Sequence, residues 1–282
     1  MSSLRKLNLY PFADISPTLE KFDKQGVPLF KVGKNYFYNP VRVCLYALHN
    51  YNLWRYTSFE GHLRKFKIQV NWLEENGEYD RGLLKWFYKF DWPSYNLKAP
   101  WYSGMAQGLA ASTLLRAYQI WNDEKYLRIA GEAVKTMITP IEQGGTLSTD
   151  KYGVFIEEVI THPPSHILNG NIFGILGLYE YNLITGEYGS ILNDLVKTLT
   201  KTLDEYDLGY WSAYCLYYRR PAPLHYHYLH IRQLTFMYQL FNEPIFIRKA
   251  IKWSLNSNRI STLSRLVFKR TLRAFKVALR KI

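Results

Sequence analysis

Two adjacent carboxylates, Glu157 and Glu158, stand at the end of an expected strand. Paired carboxylates in that position can supply a general base; read blandly, they are two solvated acids on a loop. Farther along, His227 and His230 lie three apart and so share a helix face. Imidazoles at that spacing can bind a metal, but no third ligand is apparent, so structural or substrate-contact roles carry the reading and no metal is expected. The stretch Pro100-Trp101-Tyr102-Ser103-Gly104-Met105-Ala106-Gln107-Gly108 places small residues at 103, 104, 106 and 108, with Ala110 and Ala111 beyond. Such a helix start packs closely against its neighbours, and its free backbone N–H groups can face an anion.

Composition narrows the partners. The 282 residues carry a net charge of +13, with 48% hydrophobic and 21% charged residues, the balance of a folded globular chain. The positive excess favours an anionic partner: nucleic acid, acidic lipid or acidic polysaccharide. No RNP, helix-turn-helix or zinc-finger signature is present, and much of the excess lies in the tail, so nucleic acid is not expected. Tyr 24, Phe 15 and Trp 8 raise the aromatic content to 17%, which suits sugar stacking as well as an aromatic-rich core. Cys44 and Cys215 are far apart and outside any zinc spacing, as befits two buried thiols. No signal-peptide run and no stretch of 18 apolar residues occurs. The expected location is therefore cytoplasmic or peripheral to a membrane.

The elements that must position these residues are mainly helical. Residues 1–38, broken by Pro11, Pro17, Gly26, Pro28 and Gly33, read as an N-terminal extended arm with one short strand near 29–32. Helices are expected after Pro40, then over about 59–75, 103–121, onward to 138, 165–184, 189–204, 226–241 and 243–256. The aromatic run 86–92 suggests a strand or hairpin arm, and 146–161 a strand pair bent around Asp150-Lys151-Tyr152-Gly153. Consecutive helix pairs with short loops describe an incomplete α/α toroid over 39–257. Residues 258–282 read as a basic amphipathic C-terminal helix. Phe268, Leu272, Phe275, Leu279 and Ile282 form one apolar stripe among eight cations, with no acid. Such a helix suits an anionic membrane surface, docking on the domain, or a glycan or protein contact.

The order of residues adds a resemblance. Residues 100–118 resemble the PWxSGMAQG…S…RAY signature of the D-glucuronyl C5-epimerase C-terminal domain. Glu157, Glu158, Pro164, Ser165, Leu168, Asn169 and Gly170 resemble its EEYP…PS..VLNG block. Tyr226, His227, His230, Ile231, Gln233 and Leu234 resemble its YHxxHIxQL helix start. The blocks occur in family order across about 99–240. The resemblance implies an α/α-toroid enzyme that, without a cofactor, removes the C5 proton of a glucuronate residue in a glycan and returns one to the opposite face. It implies Glu158, Tyr214 and Tyr226 as the catalytic set. The family's third tyrosine falls on Val159, and His162 or Tyr228 are the residues that could stand in for it. Implied substrate contacts are Glu157, Asn169, His227, His230, Arg232, Arg116, Gln107 and Trp101. Arg116 and Arg232 could grip the uronate carboxylate, or equally serve as ion-pair partners in the fold. Asn169 could donate to a sugar hydroxyl or cap the next helix. A uronan lyase, which shares the first proton abstraction, and a glycan-binding domain without turnover remain the alternatives. The partner is an anionic uronic-acid-containing glycan, an anionic membrane surface is a second partner through 259–282, and a homodimer is left open.

Overall fold

The computed structural model describes residues 7–13 and 21–257. The expected basic helix over 258–282 lies outside the described residues. The chain divides into two compact units, Met1–His166 with Gly170–Thr198, and Ile167–Asn169 with Leu199–Ile282.

The first unit begins with three antiparallel strands, β1 (Lys21–Phe22), β2 (Pro28–Val32) and β3 (Asn35–Tyr38), with Leu29 opposite both Lys21 and Tyr38. The strand expected at 29–32 is present, and the two flanking it are added by the structure. Helix α1 (Pro40–Thr57) starts where Asn39 accepts a hydrogen bond from the Arg42 N–H and Pro40 fixes the first turn. Ser58, in the left-handed conformation at φ 57°, ends it. Helix α2 (Glu60–Asn76) packs back on α1 and is followed by a hairpin, β4 (Glu78–Asp80) and β5 (Leu83–Lys85). This hairpin precedes the aromatic run expected to form one. Within that run, Tyr88 instead pairs as an isolated bridge with Trp101.

Helix α3 (Gly104–Trp121) is buried from Gly104 to Tyr118, so its small residues serve close packing on several sides. Ser103 caps its start and Asn122, at φ 50°, its end. Helix α4 (Glu124–Ile138), capped by Asp123, packs along it. A Cβ on Gly108 would lie 2.7 Å from the Phe173 carbonyl oxygen, and one on Gly177 would strike the Gly108 backbone. Helix α5 (Leu168–Thr185) therefore meets α3 backbone to backbone. Strands β6 (Leu147–Asp150) and β7 (Gly153–Ile156) form the expected strand pair. Helix α6 (Gly189–Thr202) follows α5.

In the second unit, α7 (Leu224–Phe241) and α8 (Pro244–Ser257) pack together around Leu234, Met237, Phe246 and Trp253, all buried. Asp207 receives Lys249 and Lys252 at 2.6 Å each. Burial opposes its charge, but these two hydrogen bonds outweigh it and hold the carboxyl at about 2. Among the described residues, no helix is long and apolar enough to cross a membrane.

Candidate functional site

In the first unit the two glutamates have opposite fates. Glu157 is wholly buried, and its carboxylate is saturated. Ser148 Oγ donates at 2.7 Å, Ser165 Oγ at 3.2 Å and the His166 N–H at 2.9 Å, with His166 Nδ1 at 2.6 Å. No acceptor capacity is left for a sugar, so Glu157 is a structural anchor and not the expected substrate contact. His166 is itself gripped from both sides, since its Nε2 lies 2.9 Å from Asp150 Oδ2 while Phe155 stacks on the ring at 4.0 Å. Burial works against its charge, yet the hydrogen bonds and charges of Glu157 and Asp150 prevail and raise its pKa.

Glu158 is half-buried, and its backbone position is fixed by its neighbours. The Gly104 N–H donates to the Glu157 carbonyl at 2.9 Å, and Asn171 Oδ1 accepts from the Ile156 N–H at 3.0 Å. Gly170 leaves the space that the Glu158 side chain occupies: any Cβ there would collide with Glu158 Cβ and Oε2. Gly170→Ala is therefore expected to displace this carboxylate and to lower the melting temperature as well, because Glu158 Cβ is fixed to its backbone and cannot swing aside as Oε2 can. A displacement of about 1 Å costs a proton-transfer reaction on the order of a hundredfold, measurable as C5-proton exchange on a glucuronate polymer.

The other expected contacts of this unit are structural. Arg116 is 1% exposed and forks onto Glu180 with two 2.8 Å hydrogen bonds, while also donating to the Ser112 and Asn8 carbonyls. It cannot grip a substrate carboxylate. Gln107 is fully buried and donates to the Leu84 carbonyl, so it too is corrected to a packing role. Trp101 gives one face to Tyr88, stacked at 3.9 Å, and its Nε1 to the Phe90 carbonyl at 2.8 Å. That face is closed to a sugar. Tyr88 went unnoticed in the sequence. Burial raises its hydroxyl pKa, and the charge of Glu158 raises it further, so it is a tyrosine within electrostatic reach of that carboxylate. Its only signal was membership of an aromatic run. Val159, where the family pattern has tyrosine, is buried at 3% exposure, while His162 and Tyr228 are exposed.

In the second unit, Tyr214 and Tyr226 are brought together. Both are half-buried, and their ring centroids are 4.9 Å apart. The Leu168 N–H donates to the Tyr214 carbonyl at 3.1 Å, and Gln233 Nε2 donates to the Asn169 carbonyl at 3.2 Å. Asn169 is buried at 1% exposure in the first turn of α5. Arg232 is exposed on α7, about 120° round the helix from Tyr226 at 100° per residue, off the tyrosine's face.

His227 and His230 are buried cores of the fold and not sugar contacts. Both Nδ1 atoms converge on Ser212 Oγ at 2.8 Å, and the His227 ring stacks on Trp211 at 3.5 Å. The Ser212 N–H donates to His227 Nδ1, which puts the proton of that ring on Nε2, facing Ser257 Oγ at 3.0 Å. Among the described residues, no group of three His, Cys, Asp or Glu is placed to hold a metal ion. Burial pushes His227 down to about 4 and His230 down to about 3, the latter helped by His227. Both rings are thus neutral in the fold but protonate in the unfolded chain near pH 6.5. Their contribution is complete above that pH and is lost as the pH falls towards 4, at about 1.4 kcal/mol per pH unit for each histidine. Raised His166 titrates above this window. Denaturant midpoints between pH 6.5 and 4.5 are expected to fall steeply, and His230→Leu should remove about half of the slope.

A family profile described as the D-glucuronyl C5-epimerase C-terminus matches residues 80–255. An uncharacterized protein of Methanocaldococcus jannaschii is 30% identical over 176 residues, covering 60% of this chain and 57% of that protein. The D-glucuronyl C5-epimerase of Caenorhabditis elegans is 27% identical over 216 residues, covering 69% of this chain and 35% of that enzyme. The chain thus spans well under two thirds of either relative. Among solved structures, a cellobiose 2-epimerase from Spirochaeta thermophila superposes with a TM-score of 0.55 at 12% identity, covering 77% of this chain and 57% of its own. A D-mannose isomerase gives 0.56 at 13% identity, with 85% and 65% covered. At such identities the likeness is one of fold, and it bears out the expected mainly helical, α/α-toroid class.

Proposed function

The chain belongs to the D-glucuronyl C5-epimerase family through that family's C-terminal domain, and from this premise we propose that it inverts C5 of glucuronate residues within a glycan, giving iduronate. The observation that carries the proposal is the pairing of a saturated, immobile Glu157 with a half-buried Glu158 whose side chain occupies the space left by Gly170.

The chemistry needs a base for the C5 proton and an acid on the opposite face. Glu158 is the carboxylate fitted to the first exchange: it breaks the C5–H bond by taking the proton, and the electron pair moves into the adjoining uronate carboxylate. The second group is a tyrosine, Tyr226 or Tyr214 by the family motif, whose hydroxyl returns a proton to C5. These roles follow the family motif and the acid–base character of the groups. Reprotonation on the original face regenerates glucuronate, so solvent exchange accompanies inversion.

The test is incubation in deuterated water with glucuronate-containing polymers, followed by NMR of the C5 proton. Loss of that signal together with new iduronate signals is the expected result. Unsaturated chain ends would instead indicate a lyase, and a polymer that binds without exchange would indicate a glycan-binding domain without turnover.

A further inference from the structure

We propose that the loop between Trp211 and Pro223 is a subsite for an acidic sugar unit flanking the one that reacts, with Tyr218 as the stacking platform and Arg220 as the anion ligand. The inference rests on the epimerase reading for the identity of the glycan.

The loop is a built structure. Ala213 pairs with Pro221, the Tyr214 N–H donates to the Arg220 carbonyl at 2.9 Å, and the Ala222 N–H donates to the Ser212 carbonyl at 2.9 Å. Buried Trp211 ties the returning strand down through Nε1 to the Ala222 carbonyl at 2.8 Å. These bonds hold Tyr214 at the base, beside Tyr226, and push residues 217–220 out as a tip. At that tip Tyr217 is 47% exposed and Tyr218 39% exposed, their rings edge to face at 4.6 Å. Arg220 lies over the Tyr218 ring, 4.7 Å from its centroid. Arg219 is engaged with Glu205 at 3.2 Å.

Large aromatic side chains are normally withdrawn from water; two adjacent ones held out by a pinned loop are an interaction feature. Their setting selects the partner's charge. No acidic residue occurs between Asp207 and Glu243, while Arg219, Arg220 and Arg232 do. A pyranose offers an apolar C–H face to a ring and, when it bears a carboxylate or sulfate, an anion to a guanidinium. Arg220 is already oriented by its ring, so its fork can pair such an anion in two-point fashion. Because the tip and Tyr214 belong to one loop, the sugar gripped at the tip is a neighbour in the chain of the one at Tyr214.

The experiment is calorimetric titration of the full chain with oligosaccharides of alternating glucuronate and N-acetylglucosamine, a trisaccharide and a decasaccharide, run beside C5-exchange NMR on the same samples. Tyr218→Ala and Arg220→Ala are each expected to weaken decasaccharide binding by about tenfold or more and to leave trisaccharide binding within about twofold. Tyr218→Phe, which keeps the ring, should bind as the wild type does. A carboxyl-reduced decasaccharide should lose the Arg220 dependence, and regaining it on N-sulfation would make sulfate the anion recognised. Equal decasaccharide affinity in wild type and both alanine variants overturns the subsite, as does wild type that binds neither oligosaccharide. Loop-dependent binding without C5 exchange upholds the subsite and overturns the epimerase reading; exchange with loop-independent binding does the reverse.

Discussion

Glu158→Gln is expected to lower the rate of C5-proton exchange by about a thousandfold, within the range attributed to a positioned acid–base group, while the melting temperature stays close to that of the wild type. The amide has the same shape, so it still fits the space beside Gly170, where any Cβ would collide with the Glu158 side chain. It cannot accept the C5 proton. Glu157→Gln provides the contrast. There the carboxylate takes two hydroxyl donors, Ser148 and Ser165, besides the backbone N–H and ring Nδ1 of His166, in a fully buried place. An amide would present donors to donors, and the loss should appear first in stability. If Glu158→Gln exchanges the C5 proton at the wild-type rate, the base is another residue.

Arg116→Met is expected to be the most destabilising single change discussed, by about 3–5 kcal/mol. The guanidinium is 1% exposed and its partner Glu180 is 12% exposed, so removing the cation strands a carboxylate in poor solvent. It also leaves the Ser112 and Asn8 carbonyls without this donor. The double variant Arg116→Met with Glu180→Leu should recover much of the loss, because two apolar side chains need no partner in that place. Urea denaturation of the three variants measures the coupling directly. An Arg116→Met protein as stable as the wild type would mean that the pair contributes nothing to the fold.

Elements with strong punctuation were legible in the sequence. Helix α3 was expected over 103–121 and runs from Gly104 to Trp121, because Ser103 caps one end and Asn122 takes the left-handed turn at the other. The hairpin at 78–85 was missed: its strands are three residues long, one of them wholly exposed, and its turn rests on Arg81 and Gly82 at positive φ. Short strands of that kind carry no periodicity to read. Motif order singled out Glu158, Tyr214 and Tyr226 as candidates, but adjacency could not say which of two glutamates is buried. Spacing also could not separate a pair of ligand histidines from a pair packed around Ser212, since both need i and i+3. The clamp of His166 between Asp150 and Glu157 left no trace at all, because its partners are brought to it by the strand pair and the loop, not by local spacing.

The contact between α3 and α5 bears on how this chain can drift in evolution. At Gly108 and Gly177 the opposing backbone stands where a methyl group would go, and at Gly174 the Ile156 side chain of β7 does. Gene duplication and divergence could alter the loop tip or exchange proton-transfer groups without disturbing this seam, but no such change could start from the seam itself. Descendants in which the candidate site residues have been replaced would still carry these three glycines. Their invariance among homologues would mark shared ancestry of the scaffold, and would be a poor guide to which of those homologues still turn over a sugar.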